Sequence, residues 1–242
     1  MEVHHHNHTE RKRWKHYFFE FFMLFLAVFA GFLAENQREH YIEHVRAKIF
    51  ANSLYNDIKM DARQLQNIIA FTDKKSNHID SLAQLLHGEL GKWNDTSFTT
   101  HIFWLVRYQG FERSKSTFEQ LKSSGSLRYL KPALVQRLNN YDVTGQEVKK
   151  REDGEYNILT SITVPLTYQI VNYELVYAYS FNQPFKSPAY VKIKDRDQAD
   201  YLANMAIGFK LNRTRLKVYY QNLHQQAKEI LNLLKKEYKL KE

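Results

Sequence analysis

The chain has no cysteine, and only 4 prolines and 8 glycines in 242 residues. Without cysteine there is no disulfide, no thiolate nucleophile and no Cys-ligated metal. That suits an oxidising compartment without requiring one, because a helical core of this size needs no staples. Scarce proline and glycine leave little to interrupt a helix, which favours long helices. There is no internal repeat and no low-complexity linker. No phosphate-binding glycine loop, nucleophile elbow or pair of catalytic carboxylates appears, so the sequence names no catalytic residue and no cofactor. Long apolar runs are missing too, with one exception.

The exception is Tyr17 to Ala34, YFFEFFMLFLAVFAGFLA, close to the ~20 residues that cross a bilayer core. Arg11, Lys12, Arg13 and Lys15 precede it; Glu35, Arg38, Glu39 and Glu43 follow. A cleaved signal peptide would end in an extended, breaker-containing region. Here good helix formers continue with no Gly or Pro until Gly88, so the run reads as an uncleaved anchor. A buried core helix would need a partner hiding Phe18, Phe19, Phe21, Phe22, Phe25, Phe29 and Phe32 all round. The basic N-terminal flank predicts a cytoplasmic tail (1–16), a transmembrane helix (17–34) and an external, periplasmic body (35–242) of an inner-membrane protein. Glu20 lies one turn inside the span, within reach of the interface and of Lys15 and His16. Ala27 with Gly31, and Ala30 with Ala34, have the small-xxx-small spacing that lets helices approach closely.

The body is long enough for one well-cored domain. The chain carries 35 Lys and Arg against 26 Asp and Glu. The excess gathers at the end: from Lys210 onward, 9 basic residues oppose Glu229, Glu237 and Glu242. No nucleic-acid motif accompanies them, and beside a membrane such residues meet anionic head groups. Lys235, Lys236, Lys239 and Lys241 are therefore the expected lipid-facing set. The N-terminal His4, His5, His6 and His8 read as a terminal tract before they read as a metal site.

The periodicity predicts an all-α fold. The anchor should run into a juxtamembrane helix through Ile42, Val45, Ile49, Phe50, Leu54, Ile58, Leu65, Ile68 and Phe71, ending near Thr72. A shorter helix, Lys75 to Leu90, should follow, then a loop from Lys92 to Phe98. Thr99 or Thr100 is the expected cap of the next helix. Glu112 to Lys122 should be helical, with a turn at Ser123-Ser124-Gly125 and a new helix starting at Pro132. Residues 155–181 have strand propensity, but Ile158, Ile162, Leu166 and Ile170 at i+4 favour a helix, kinked or restarted at Pro165. Asn182 to Asp195 is a loop. The last helix, Asp197 to Tyr238, has heptad spacing from Leu216 and would be about 60 Å long. The juxtamembrane helix, at about 55 Å, matches it, so an antiparallel bundle is expected.

Two constellations bear chemistry. His40-Tyr-Ile-Glu43-His44 matches the H-x-x-E-H pattern, with His40 and His44 on one helix face suited to a metal, but it lacks a third ligand. A zinc-dependent hydrolase is the remote reading, and a solvated His/Glu face the plainer one. Trp104, Arg107, Tyr108, Arg113, Arg128 and Tyr129 form an aromatic and basic set able to hold an anionic ligand. The plainer reading makes the aromatics core. Ala27, Gly31, Val45, Ile49 and Phe50 are candidate interface residues, because shorter helices are not expected to cover that stripe. A second copy or a membrane-protein partner would cover it.

The segments GFLAENQREHYIEH (Gly31 to His44), FEQLKSSGSLRYLK (Phe118 to Lys131) and LVQRLNNYD (Leu134 to Asp142) resemble a family of single-pass envelope proteins of Gram-negative bacteria. The resemblance spans about the first 145 residues and implies an anchored envelope component, with no activity attached. More loosely, the bundle resembles periplasmic four-helix sensor modules of bacterial receptors. It departs from them in its single span and its lack of an output segment.

Overall fold

In a computed structural model, residues 14–184 and 190–240 are described. The described residues form helices joined by short connections, with one isolated antiparallel bridge between Val171 and Val191. The chain divides into two compact units, Met1–Ile49 and Phe50–Glu242.

The first unit is the leading part of α1, Trp14–His87. An 18-residue window there has a mean hydropathy of 2.1 and none of it is buried. α1 is thus long and apolar enough to cross a membrane. Phe18 stacks on Phe22 and Phe25 on Phe29, as i,i+4 neighbours do. His16 lies 3.8 Å from Glu20, and Arg38 Nε donates to Glu35 at 2.9 Å. Arg11, Lys12, Arg13 and the histidine tract lie outside the described residues.

The second unit is an all-helical bundle on three long rods: the remainder of α1, α4 (Pro132–Ile158) and α7 (Arg196–Tyr238). Antiparallel pairing of α1 and α7 follows from two ion pairs. Asp73 meets Lys217 and Asp80 meets Lys210, one helix advancing as the other retreats. Arg196 Nη1 extends this pairing to the carbonyl of Leu86, at 2.6 Å. α4 also runs against α7: Lys131 meets Glu237, Arg137 meets Glu229, and Gln226 donates to Thr144 at 3.0 Å. Around the rods lie α2 (Asp95–Val106), α3 (Ser116–Ser123), a 3-10 turn (Ser126–Tyr129), α5 (Val164–Ile170) and α6 (Tyr173–Phe181). α2 packs against α6.

Each rod buries one heptad face. On α1 it is Leu54, Ile58, Asp61, Leu65, Ile68, Thr72, Lys75, Ile79, Leu82 and Leu86. α4 supplies Leu134, Leu138, Tyr141, Gly145, Val148, Glu152 and Glu155. On α7 the face runs Leu202, Ala206, Phe209, Arg213, Leu216, Tyr220, Leu223, Ala227, Ile230 and Leu234. Spacings of three and four hold throughout, and polar residues occupy some of the inward positions.

Several sequence expectations shift. α1 does not stop near Thr72; Asp73 and Lys74 continue it to His87, since nothing there breaks a helix. α2 starts earlier than expected, because Asn94 caps it by accepting from Ser97 N at 2.8 Å. Residues 107–115 have no regular secondary structure, so the helix expected from Glu112 begins only at Ser116. Gly125, at φ +67°, makes the turn after α3, and Pro132 opens α4. Residues 155–181 are helical except for a break at Val171 and Asn172, with a π turn at Leu159–Thr163 just before Pro165. That turn accommodates a proline, which lacks the N–H and crowds the preceding turn. The expected i+4 row holds only in its second half: Ile170 is buried and Leu166 packs against the core, while Ile158 and Ile162 are exposed and Leu159, Thr163 and Thr167 take the inward positions. The inward frame passes through Glu152 and Glu155, so a search for apolar residues slides off it by one.

Candidate functional site

Midway along the second unit, charged side chains replace apolar ones in the heptad core. Lys75 and Arg213 are 0% exposed, and Glu152 and Glu155 are buried. The segment 107–115, between α2 and α3, lies across this level as a strap. It has no helix or sheet to satisfy its backbone, and the rods do so with side chains. Lys75 Nζ donates to the Arg107 carbonyl at 2.8 Å and Arg213 Nη2 to the Gln109 carbonyl at 3.0 Å. Phe111 N donates to Glu152 Oε1 at 2.7 Å, and Ser114 N to Asp61 Oδ1 at 2.8 Å. Cations take the carbonyls and carboxylates take the amides.

A second ring of contacts fixes three of those four groups, Glu152, Asp61 and Arg213. Tyr220 Oη donates to Glu152 Oε1 at 2.5 Å and Tyr141 Oη to Asp61 Oδ2 at 2.9 Å. Arg213 Nε lies 2.7 Å from Glu155 Oε1. The N–H points off that line, so this is an ion pair without an aligned hydrogen bond. The guanidinium stands 5.3 Å from the Tyr108 ring centroid. Arg113 of the strap pairs with Asp142. Its Cδ would lie 3.1 Å from a Cβ at position 145, so the glycine there lets the strap settle on α4.

Burial dominates the electrostatics. It raises the carboxyls of Asp61, Glu152 and Glu155 above their ordinary range, despite the donors and cations that oppose it. Burial, and then the neighbouring Arg213, lower the Lys75 ammonium to about 7, with Glu155 opposing. Tyr108 is pushed up to about 12, first by burial and then by Glu152. Burial works against the Asp142 carboxylate, but the Arg113 guanidinium outweighs it and holds it below its ordinary range.

The aromatic and basic set is divided by the fold. Trp104 is buried and stacks on His78 at 4.7 Å, with the Arg107 guanidinium 4.9 Å from its ring. Tyr108 and Arg113 belong to the strap. Arg128 and Tyr129 bond to each other at 3.0 Å on the 3-10 turn. Lys131 just beyond them reaches Glu237. This is the level of Tyr55, about 30 Å along α1 from Lys75 at 1.5 Å per residue. Arg107 and Arg128 thus stand at different levels of the bundle. A crevice of about 10 Å³ lies beside Arg113, Asp57 and Tyr141, room for about one water.

His40 and His44 are exposed on α1, with His40 3.9 Å from Glu43. Among the described residues no three His, Cys, Asp or Glu side chains gather as a metal site. Ala27, Gly31, Val45 and Ile49 are exposed and Phe50 is half-buried. Lys235 lies 5.7 Å from the Tyr55 ring centroid, while Lys236 and Lys239 are exposed; Lys241 lies outside the described residues.

A second feature is an open apolar face. Ile207, Leu211 and Val218 lie one above the other on the outer side of α7, with Leu211 50% and Val218 60% exposed. On α4, Arg137, Thr144 and Arg151 recur every seven residues and each meets α7. Ile158 is the next member of that series. Arg151 meets Tyr219, so seven residues on and seven back set Ile158 level with Leu211 and Asn212. Ile158 and Ile162 are exposed separately, on the α4 side of the unit.

Comparison of the chain with protein-family models, curated proteins and solved structures finds no match.

Proposed function

We propose that the chain is a membrane-anchored structural or interaction component of a bacterial envelope assembly, acting by binding and not by catalysis. The observation that carries this reading is the apolar row Ile207, Leu211 and Val218, left open on the outer side of α7 in a well-cored unit. A contiguous exposed apolar patch marks a protein contact. Leu211 and Val218 neighbour Asn212, Thr214, Gln221 and Asn222, a row with Arg215 as its charge, which fits another apolar helix face better than a charged ligand. The anchor holds the unit at a bilayer, and the charge asymmetry about Tyr17–Ala34 supports a cytoplasmic N-terminus and a periplasmic body. Exposed Val45 and Ile49, in line with Ala27 and Gly31, support self-association through the anchor and its extension. Lys235, Lys236 and Lys239 remain proposed lipid contacts. A ligand sensor is less favoured, because Arg107 and Arg128 stand at different levels of the bundle.

The test is assembly size in mild detergent for wild type, Leu211→Asp with Val218→Asp, and Gly31→Leu. We expect an assembly larger than a monomer in wild type, reduced by the α7 pair with no change in thermal stability, and reduced separately by Gly31→Leu. A monomeric wild type, matched by every variant, would remove the reading.

A further inference from the structure

We propose that the 107–115 strap is a proton-controlled latch, closed when the buried Lys75 side chain is an uncharged amine and loosened when it is an ammonium. The geometry carries this. Lys75 Nζ sits at 0% exposure and donates at 2.8 Å to a neutral carbonyl, that of Arg107. An uncharged amine still has N–H groups to donate to that carbonyl, and it carries no buried charge to be neutralised. Its other close neighbour is the ring of Phe209, 5.2 Å away. The charged groups facing it come from every packed element. Arg213, from α7, is a fixed cation. From α4, Glu155 lies against Arg213 Nε at 2.7 Å, and Glu152 is held by Phe111 N and Tyr220 Oη. Tyr108 of the strap and Tyr220 of α7 complete the set. One carboxylate, Glu155, thus stands against two cations and is already committed to the guanidinium. A proton on Lys75 places two like charges in a dry layer, a situation relieved if the Arg107 carbonyl lets go and the ammonium reaches water. The same movement would draw the strap from Arg213 and uncover Tyr108 and Phe111.

The sign follows from linkage. Closed, the Lys75 ammonium loses its proton at about 7; released into water, it keeps the proton to the ordinary lysine range. The closed strap therefore gains on the open one as pH rises from about 7, by up to about tenfold per pH unit. Below that window the Lys75 contribution is level. Other groups fall outside it. Glu152 and Glu155 act on the acid side with the opposite sign. His78 and His101, lowered by burial, act below the ordinary histidine range. Tyr108 titrates near 12.

The experiment is hydrogen exchange on the full chain in detergent between pH 7 and 9.5, with each rate divided by the intrinsic rate at that pH. The reporters are the Phe111 and Ser114 amides, with amides of α7 around Leu223 as internal reference. In wild type, strap protection should rise at least tenfold across the window while the reference stays level. Lys75→Met should be protected and insensitive to pH, and Lys75→Arg poorly protected and insensitive. If neither variant folds, the wild-type profile alone decides. A level wild-type strap, a strap that merely follows the reference, or the same rise in Lys75→Met would each overturn the latch. Biological use of the latch rests on the proposed external placement of the body, but this measurement on purified protein does not.

Discussion

Leu223 and Arg213 are about three turns apart on one helix and sit in layers built on opposite rules. Around Leu223 the rods meet through apolar side chains: Leu216, Ala227 and Ile230 on α7, Val148 on α4, and Leu65 and Ile68 on α1, all buried. Around Arg213 the same inward positions hold Lys75, Glu152 and Glu155, and the charges close on a strap instead of on each other alone. The apolar layer supplies stability with little demand on register. The charged layer adds little net stability but penalises any misalignment, because the partners of each group stand at one height. A single polar residue in a heptad core can fix register in this way. Here four of them fix both the rods and the strap.

The largest expected effect is in the apolar layer. Leu223→Asp buries an unpaired charge and should unfold the second unit, at a cost of several kcal/mol; circular dichroism in denaturant reads it. Survival with a native midpoint would mean that α7 is not a core helix. Next comes Arg213→Leu, which strands Glu155 and the Gln109 carbonyl and should cost about 3–5 kcal/mol. Replacing Glu155 by Leu as well should recover much of that loss, since the whole pair is then apolar. Additive losses would show that the charged layer is not coupled. Tyr220→Phe removes one donor to Glu152 and should cost about 1–2 kcal/mol, with faster exchange at the Phe111 amide. An unchanged amide would detach Tyr220 from the strap. The smallest change is Lys217→Ala, which breaks a partly exposed pair with Asp73 and should cost at most about 1 kcal/mol. A larger loss would place that pair in the core.

These layers also differ in how well the sequence displays them. The apolar row from Leu216 to Leu234 shows α7 and its inward face directly. The apolar run Tyr17–Ala34 shows itself by length and composition. The charged layer stays hidden because Lys75, Glu152, Glu155 and Arg213 look like solvated helix residues. Their signal is positional: Arg213 lies in frame between Phe209 and Leu216, and Lys75 between Ile68 and Ile79. Holding the heptad through a charged residue would have found them. The strap is harder, because Glu112 to Lys122 has helical composition and its non-helical start depends on side chains distant in sequence. The aromatic and basic set looked like one site because its members are close in sequence, but α2, the strap and the 3-10 turn carry them to different levels.

The central claim is that the anchored bundle works through its open α7 face, and a photo-crosslinking residue tests it most directly. It would be placed at Leu211 in cells, with Asn67, an exposed position on α1, as control. The account predicts a discrete adduct from position 211, absent from position 67 and lost when Val218→Asp is added. No adduct from 211, or the same adducts from both positions, would contradict it.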